Sequence, residues 1–332
     1  MKEKLTQRDD AIDIWKGLLI LIMIWAHVIQ LMGDRNHFRV QREISDFVNI
    51  SAFSSFFLSF GYVTFLSYFS GRVKLWRIGT SFLKIIIAYF FLSFVIQLLI
   101  TPEIDTKKLV FDILSFNKMT IYTEFLPAFG LVLLVGALFA KPLFWMVHGL
   151  PRLMIFSALF LLTTFIPDDF LGSPQIALFL GVPGSVALSY PLAEYMPLFL
   201  LGAYFARHQI KYQRVWFMIG ALGMAAFYIY RIFLGLPERF PPSFEWVFFS
   251  MFFAIWGYQM VRQIHLPPIF WGYLSVIGAN SLFFFVVSTI SIFILQKHYD
   301  GMDTLPTLIA TIGIVLMTYF LSGLILPNHV KG

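Results

Sequence analysis

The first apolar segment of the chain contains three ionisable residues, Asp13, Lys16 and His27. Ionisable side chains are expensive to place in lipid, so their presence in a predicted membrane helix indicates a functional site. Imidazole gains and loses a proton near neutral pH, and a lysine ammonium attracts anions. The segment therefore combines a group suited to proton transfer or nucleophilic catalysis with a group suited to anion binding.

The spacing of these residues predicts that they share one face of a helix. His27 follows Lys16 by 11 positions, which at about 100° per residue is a rotation only about 20° beyond three full turns. The two residues are then about 16 Å apart along the axis, with Lys16 near one membrane surface and His27 about two thirds of the way across. Asp13 precedes Lys16 by three positions, so we expect it to orient the lysine.

Composition predicts the class of protein that positions these residues. The 332 residues are 59% hydrophobic and 13% charged, and the mean hydropathy is +0.79. We predict an all-α, polytopic transmembrane bundle that forms a single membrane-embedded domain over residues 1–332, with no separate soluble domain. The chain has no cysteine, which excludes disulfides, thiolate nucleophiles and cysteine metal sites. We predict no metal.

Apolar segments of spanning length predict about ten helices. Lys and Arg are concentrated in the segments that face the cytoplasm if both termini are cytoplasmic, and the opposite segments are net negative, as the positive-inside rule requires. The net charge of +6 therefore reflects membrane orientation and not binding to nucleic acid. The predicted helices lie near 14–32, 47–70, 78–100, 125–147, 152–167, 176–206, 214–234, 243–261, 272–295 and 304–326.

The spacing of Asp13, Lys16-Gly17 and His27 resembles the opening helix of the acyltransferase-3 family of integral-membrane O-acyltransferases. Ser288 stands where that family often has a second histidine, and Lys74 with Arg77 stands where it usually has two arginines. Further segments are similar to other family segments: FFLSFGY (56–62), GRVKLWR (71–77), YPLAEYMPLFLLGAYFAR (190–207) and IGANSLFFF (277–285).

The resemblance implies transfer of an acyl group, most often acetyl from acetyl-CoA, to a hydroxyl of a cell-surface or lipid-linked glycan in a prokaryotic plasma membrane. His27 is then the general base or the acyl carrier, since imidazole suits both roles. Acyl-CoA is the donor substrate, whose phosphates are bound at the cytoplasmic side by Lys16, Arg72, Lys74 and Arg77. The residues expected to face the acceptor, two of them as catalytic carboxyls, are Tyr122, Glu124 and Glu194.

Two other functions remain open from the sequence. The protein is a transporter or flippase of a lipid-linked sugar if Lys16, His27 and Glu194 line a passage, although no inverted repeat is visible. It is a non-catalytic membrane partner of another enzyme if His27 only bonds a neighbouring helix. Positive-inside bias alone also explains the basic residues of 71–77. Replacement of His27 by alanine separates these alternatives, because only the transferase then loses acyl transfer.

Overall fold

The computed structural model describes residues 9–69, 75–100, 106–116, 120–166, 179, 190–240, 242–264 and 267–326, and these residues form α-helices and connecting segments. The α-helices are α1 (Asp10–Met32), α2 (Arg39–Phe69), α3 (Leu75–Ile100), α4 (Thr106–Leu114), α5 (Phe125–Leu138), α6 (Ala140–Met146), α7 (Leu150–Leu161), α8 (Leu192–Arg207), α9 (Arg214–Leu234), α10 (Phe244–Val261), α11 (Pro268–Ala279), α12 (Ser281–Gln296) and α13 (Thr304–Ile325).

Five of these helices are long and apolar enough to cross a membrane: Asp10–Met32, Arg39–Ser67, Ile78–Ile100, Arg214–Leu234 and Thr304–Ile325. Two bent pairs also qualify, α5 with α6 and α11 with α12. The chain is therefore a multi-pass, membrane-embedded helical protein. The ten-span count and the cytoplasmic position of both termini stay predictions.

Two of the predicted spans are single helices in the sequence pattern but are broken in the structure. The segment 125–147 bends by 90° at Phe139, and the segment 272–295 bends by 83° at Asn280. Pro142 has no backbone N–H and cannot donate the regular helical hydrogen bond to the carbonyl of Leu138. Helix α5 therefore ends at Leu138. At the second break the Asn280 side-chain amide donates to the carbonyl of Val276 at 2.9 Å, in competition with the regular helical bonds.

Other boundaries also differ from the prediction. Helix α2 begins at Arg39, eight positions before the predicted start. Helix α4 was not predicted and lies in the segment between α3 and α5. The last part of the predicted span 176–206 forms α8, whereas residues 176–178 and 180–189 lie outside the described residues.

The described helices group into two compact units. The terminal unit contains the described residues within Asp9–Ala52, Val95–Pro102 and Gln263–Gly332, and in it α1 packs against α11, α12 and α13. The central unit contains those within Phe53–Phe94 and Glu103–Arg262, and in it α8 packs against α5, α6, α7 and α10. Each unit has its own apolar core.

Paired glycines hold helices in backbone contact within each unit. In the terminal unit, a Cβ atom on Gly17 of α1 would lie 2.2 Å from the carbonyl oxygen of Leu274, and one on Gly278 of α11 would lie 1.7 Å from that of Asp13. In the central unit, Gly61 of α2 and Gly202 of α8 meet in the same way, with Cβ atoms that would lie 1.9 Å from opposing backbone carbonyls. Only glycine permits such an approach.

Candidate functional site

The first helix positions the charged pair of the terminal unit. Asp9 caps α1, since its carboxylate accepts a hydrogen bond from the Ala11 amide at 3.2 Å. One turn later, the Lys16 ammonium lies 2.7 Å from the Asp13 carboxylate, and the two side chains are only 17% and 12% exposed. The charge of Lys16 is therefore partly neutralised by its own helix, and an anion that binds Lys16 must share it with Asp13.

His27 lies further along α1 and is half-buried. Its ring meets the ring of Phe285 from α12 edge-on, with the ring centroids 6.3 Å apart. Three positions after His27, the Gln30 amide donates hydrogen bonds to Ser45 at 2.8 Å and to Asn49 at 3.1 Å on α2. These contacts place a polar group next to His27, one turn along the same helix.

Ser288 is buried on α12, three positions beyond the phenylalanine that meets His27. Its hydroxyl donates to the carbonyl of Phe285 at 3.1 Å. The proton of this hydroxyl is therefore used in a hydrogen bond to the backbone of its own helix. It also cannot supply the proton chemistry of an imidazole near neutral pH. No second histidine function is therefore assigned to this position.

Glu124 lies at the start of α5 in the central unit and is 4% exposed. Its Oε2 atom is buried and makes no hydrogen bond with the described residues. Burial raises the pKa of this carboxyl above its usual value, while the positive charge of Arg239 and the backbone amides of Tyr122, Thr123 and Glu124 oppose the rise. Such a carboxyl is suited to holding a proton or to accepting a hydrogen bond from a ligand.

Arg239 was not identified from the sequence as a site residue. Its Nε donates to the hydroxyl of Tyr190 at 3.1 Å, and its Nη2 donates to the same oxygen. The guanidinium also lies 4.7 Å from the ring centroid of Phe240. These contacts join the segment before α8 to the segment before α10. In the sequence, Arg239 is one of many basic residues outside the predicted helices, so only the tertiary structure shows its neighbours.

The remaining predicted acceptor residues also belong to the central unit. Glu194 lies in the first turn of α8 and is 2% exposed, with no hydrogen bond to its Oε2 among the described residues. Tyr122 is half-buried and has a positive φ of 68°. Its left-handed backbone shapes the turn that leads into α5. The two residues and Glu124 share a unit, whereas Lys16 and His27 belong to the terminal unit.

Most of the predicted donor-binding loop lies outside the residues that the structure describes. Arg72 and Lys74 lie outside the described residues. Arg77 lies in the first turn of α3, whose backbone is described, but its side chain is not. Of the predicted phosphate-binding set, only Lys16 therefore has a defined environment. Within the described part of the chain, no three His, Asp or Glu side chains are grouped as metal ligands.

No protein-family model matches the chain, and comparisons with curated proteins and with solved structures gave no match. The resemblance to the acyltransferase-3 family thus depends on the motifs alone. Several glycines of those motifs have a packing role: Gly17 and Gly278 meet in one unit, and Gly61 and Gly202 meet in the other. The glycine contacts involve backbone atoms and do not account for the ionisable side chains of Asp13, Lys16 and His27.

Proposed function

We propose that the protein is a membrane O-acyltransferase that moves an acyl group, most often acetyl, from cytoplasmic acyl-CoA to a hydroxyl of a cell-surface or lipid-linked glycan. The proposal rests on one observation. A half-buried imidazole and an enclosed lysine–carboxylate pair lie on the same helix, α1, 11 positions apart. Because enclosed ionisable groups are costly in a membrane protein, a reaction that uses them is the most economical explanation.

The chemistry asked of His27 has two forms. As general base, the lone pair of one ring nitrogen takes the proton of the acceptor hydroxyl while the oxygen attacks the thioester carbonyl. The carbon–sulfur bond then breaks, and the thiolate takes the proton back from the imidazolium. As acyl carrier, the imidazole nitrogen attacks the thioester carbonyl, the carbon–sulfur bond breaks, and the thiolate leaves with the imidazole proton. The acceptor hydroxyl then attacks the acyl-imidazole, the carbon–nitrogen bond breaks, and the imidazole takes up the hydroxyl proton. Both forms yield one ester and one free thiol.

Lys16 fits the role of a donor-binding residue. An ammonium binds phosphate as a point charge, and this one is held within 2.7 Å of Asp13. We propose that Lys16 acts with Arg72, Lys74 and Arg77 on the phosphates of coenzyme A, and that Asp13 keeps the lysine extended between turns. The proposed topology has about ten spans with both termini in the cytoplasm of a prokaryotic cell. It puts these basic groups on the side where acyl-CoA is made.

Thiol release from acetyl-CoA tests the proposal directly. Purified protein is incubated with acetyl-CoA, with and without a crude cell-wall glycan fraction, and wild type is compared with His27→Ala and His27→Gln. Loss of general acid–base or nucleophilic catalysis predicts a fall in rate of about 100-fold or more in both variants. His298→Ala is the matched control, because His298 is an exposed histidine of the same unit.

Either form of the chemistry has its own kinetic signature. A histidine that carries the acyl group gives a burst of thiol equal to the amount of enzyme without any acceptor. A histidine that acts as base gives thiol only when acceptor is present, apart from slow hydrolysis. Full activity of His27→Ala refutes the proposal. Absence of both thiol release and acetyl-CoA binding in the wild type favours the transporter or flippase of a lipid-linked sugar.

A further inference from the structure

An exposed arginine lies at the start of α7, beside a tryptophan of the preceding helix. The Arg152 guanidinium lies 4.5 Å from the ring centroid of Trp145 on α6. Both side chains are exposed, and Arg152 forms no hydrogen bond or ion pair with the described residues. A guanidinium that stacks on a ring uses its face for that contact, so its N–H groups remain available to bind an anion in the guanidinium plane.

The turn that presents Trp145 is fixed by the end of α8. Nη1 of Arg207 donates to the carbonyl of Phe144 at 2.9 Å. Nη2 of the same side chain donates to Nδ1 of His148 at 2.6 Å, since arginine has no acceptor. These bonds hold the segment between α6 and α7 against α8. Trp145 and Arg152 are therefore positioned before any ligand binds.

One side of α7 is apolar and exposed. The residues on its buried side are Leu153, Ser157 and Leu161. On the opposite side, Ile155, Leu159 and Leu162 are each more than half exposed, and we call these three residues the α7 stripe. They follow Arg152 by three, seven and ten positions, so the arginine lies at one end of the same side of the helix. In a membrane-embedded protein such a side contacts acyl chains.

The length of the α7 stripe matches one leaflet of a bilayer. Ten residues separate Arg152 from Leu162, which is about 15 Å along a helix axis at about 1.5 Å per residue. Half of a hydrocarbon core of about 30 Å is also about 15 Å. When the stripe lies in the acyl region of one leaflet, the guanidinium is therefore at the depth of the phosphate groups. An exposed tryptophan is typical of the same depth.

The charge around Arg152 favours an anionic headgroup. Residues 140–161 contain Lys141 and Arg152 but no Asp or Glu, and the Lys141 side chain is exposed. Basic residues near a membrane surface attract anionic lipids. A zwitterionic lipid presents a phosphate as well, but its own positive group offsets this attraction.

We propose that α7 binds one anionic phospholipid. Its phosphate oxygens accept hydrogen bonds from Arg152, its headgroup lies beside the ring of Trp145, and an acyl chain lies along the α7 stripe. Binding of this lipid is independent of the proposed acyl transfer, because it needs no residue of the predicted catalytic or donor-binding set.

Native mass spectrometry of the full chain in a non-ionic detergent tests this binding. The delipidated protein is titrated with palmitoyl-oleoyl phosphatidylglycerol or with the phosphatidylcholine that has the same chains. We expect the Kd of the first phosphatidylglycerol to be about fivefold lower than that of the first phosphatidylcholine. Glycerol 3-phosphate has the anionic group without the chains, and we expect that it does not displace the lipid.

Three variants locate the headgroup. Arg152→Gln is expected to raise the Kd of phosphatidylglycerol about fivefold and to abolish the preference over phosphatidylcholine. Arg152→Lys keeps the charge and is expected to keep the preference, since an ammonium binds phosphate as a point charge. Arg35→Gln is the matched control, because Arg35 is an exposed arginine of the terminal unit, and it is expected to leave both Kd values unchanged.

Photo-crosslinking locates the acyl chain. A phosphatidylglycerol with a diazirine midway along one chain is placed in nanodiscs with the protein, and the adducts are mapped by peptide mass spectrometry. We expect adducts on residues 155–162, and about fivefold fewer of them in Arg152→Gln.

Four results would each overturn the proposal. They are equal Kd values for the two lipids in the wild type, an unchanged preference in Arg152→Gln, displacement of the lipid by glycerol 3-phosphate, and an absence of adducts on residues 155–162. A dimer that excludes the lipid would show instead that a second copy of the chain covers this side of α7, and it would also overturn the proposal.

Discussion

Replacement of Gly278 by alanine tests how tightly α1 is held in the terminal unit. A Cβ atom at this position would lie 1.7 Å from the carbonyl oxygen of Asp13 and 2.8 Å from the amide nitrogen of Gly17. Both of these atoms are backbone, so no side-chain rotation relieves the clash. Ordinary contact begins at 3.4 Å, so α1 and α11 must separate by about 1.7 Å.

The cost follows from the loss of packing along the α1–α11 contact. Forcing an extra methyl group into a closely packed interface costs about 1–3 kcal/mol of the free energy of unfolding. The same movement displaces Asp13 and Lys16, since both lie within one turn of the contact. We expect Gly278→Ala to lower stability in a mixed-micelle SDS titration and to weaken acetyl-CoA binding.

Gly272→Ala is the matched control on the same helix. A Cβ atom at Gly272 would meet nothing within 4 Å, so alanine there gains helix propensity of about 0.5–1 kcal/mol without a clash. Gly278→Ala should therefore be less stable than wild type and Gly272→Ala more stable, with a difference between the two variants of about 1.5–4 kcal/mol. Equal stability of the two variants would refute the backbone contact between α1 and α11.

Three further predictions concern polar groups in the two units. The pKa of Glu124 is raised in the folded state, so wild-type stability should fall as the pH rises above 4.5 until the folded-state pKa is passed. Thermal melts at a series of pH values measure this fall, and Glu124→Gln should remove it. Asp13→Asn should destabilise the protein more than the double variant Asp13→Asn, Lys16→Met, because the single change leaves an enclosed ammonium unpaired; equal melting temperatures would contradict this. Gln30→Ala should lower the free energy of unfolding by about 1–3 kcal/mol through its lost hydrogen bonds to α2, and an unchanged SDS titration would show that those bonds do not matter.

The sequence predicted the helical class and most of the helix positions. The apolar lengths that define α1, α3, α9 and α13 are local properties, so the predicted and observed boundaries agree within a few residues. The breaks at Phe139 and Asn280 were missed because an apolar run shows length but not direction. Pro142 does not itself mark the position of the first break, because its effect falls four residues earlier, at the carbonyl of Leu138.

The candidate site was predicted unevenly. Asp13, Lys16 and His27 were selected because three ionisable residues in one apolar segment are conspicuous, and their role stays a prediction. Arg239 was missed because it lies 115 positions from Glu124, and basic residues outside helices have no distinguishing pattern. The glycines of the motifs were noticed as family-like features, but their contacts across α1–α11 and α2–α8 were not predictable.

The sequence by itself determined that this chain is a membrane protein and which face of its first helix has ionisable groups. Both follow from local composition and from the fixed rotation of an α-helix. Only the tertiary structure decided which distant groups have partners: Arg239 is held by Tyr190, and Glu124 Oε2 has no hydrogen bond with the residues that the structure describes. The physical reason is that pairing across long sequence separations depends on how helices pack, and packing is set by close backbone contacts that no single segment encodes.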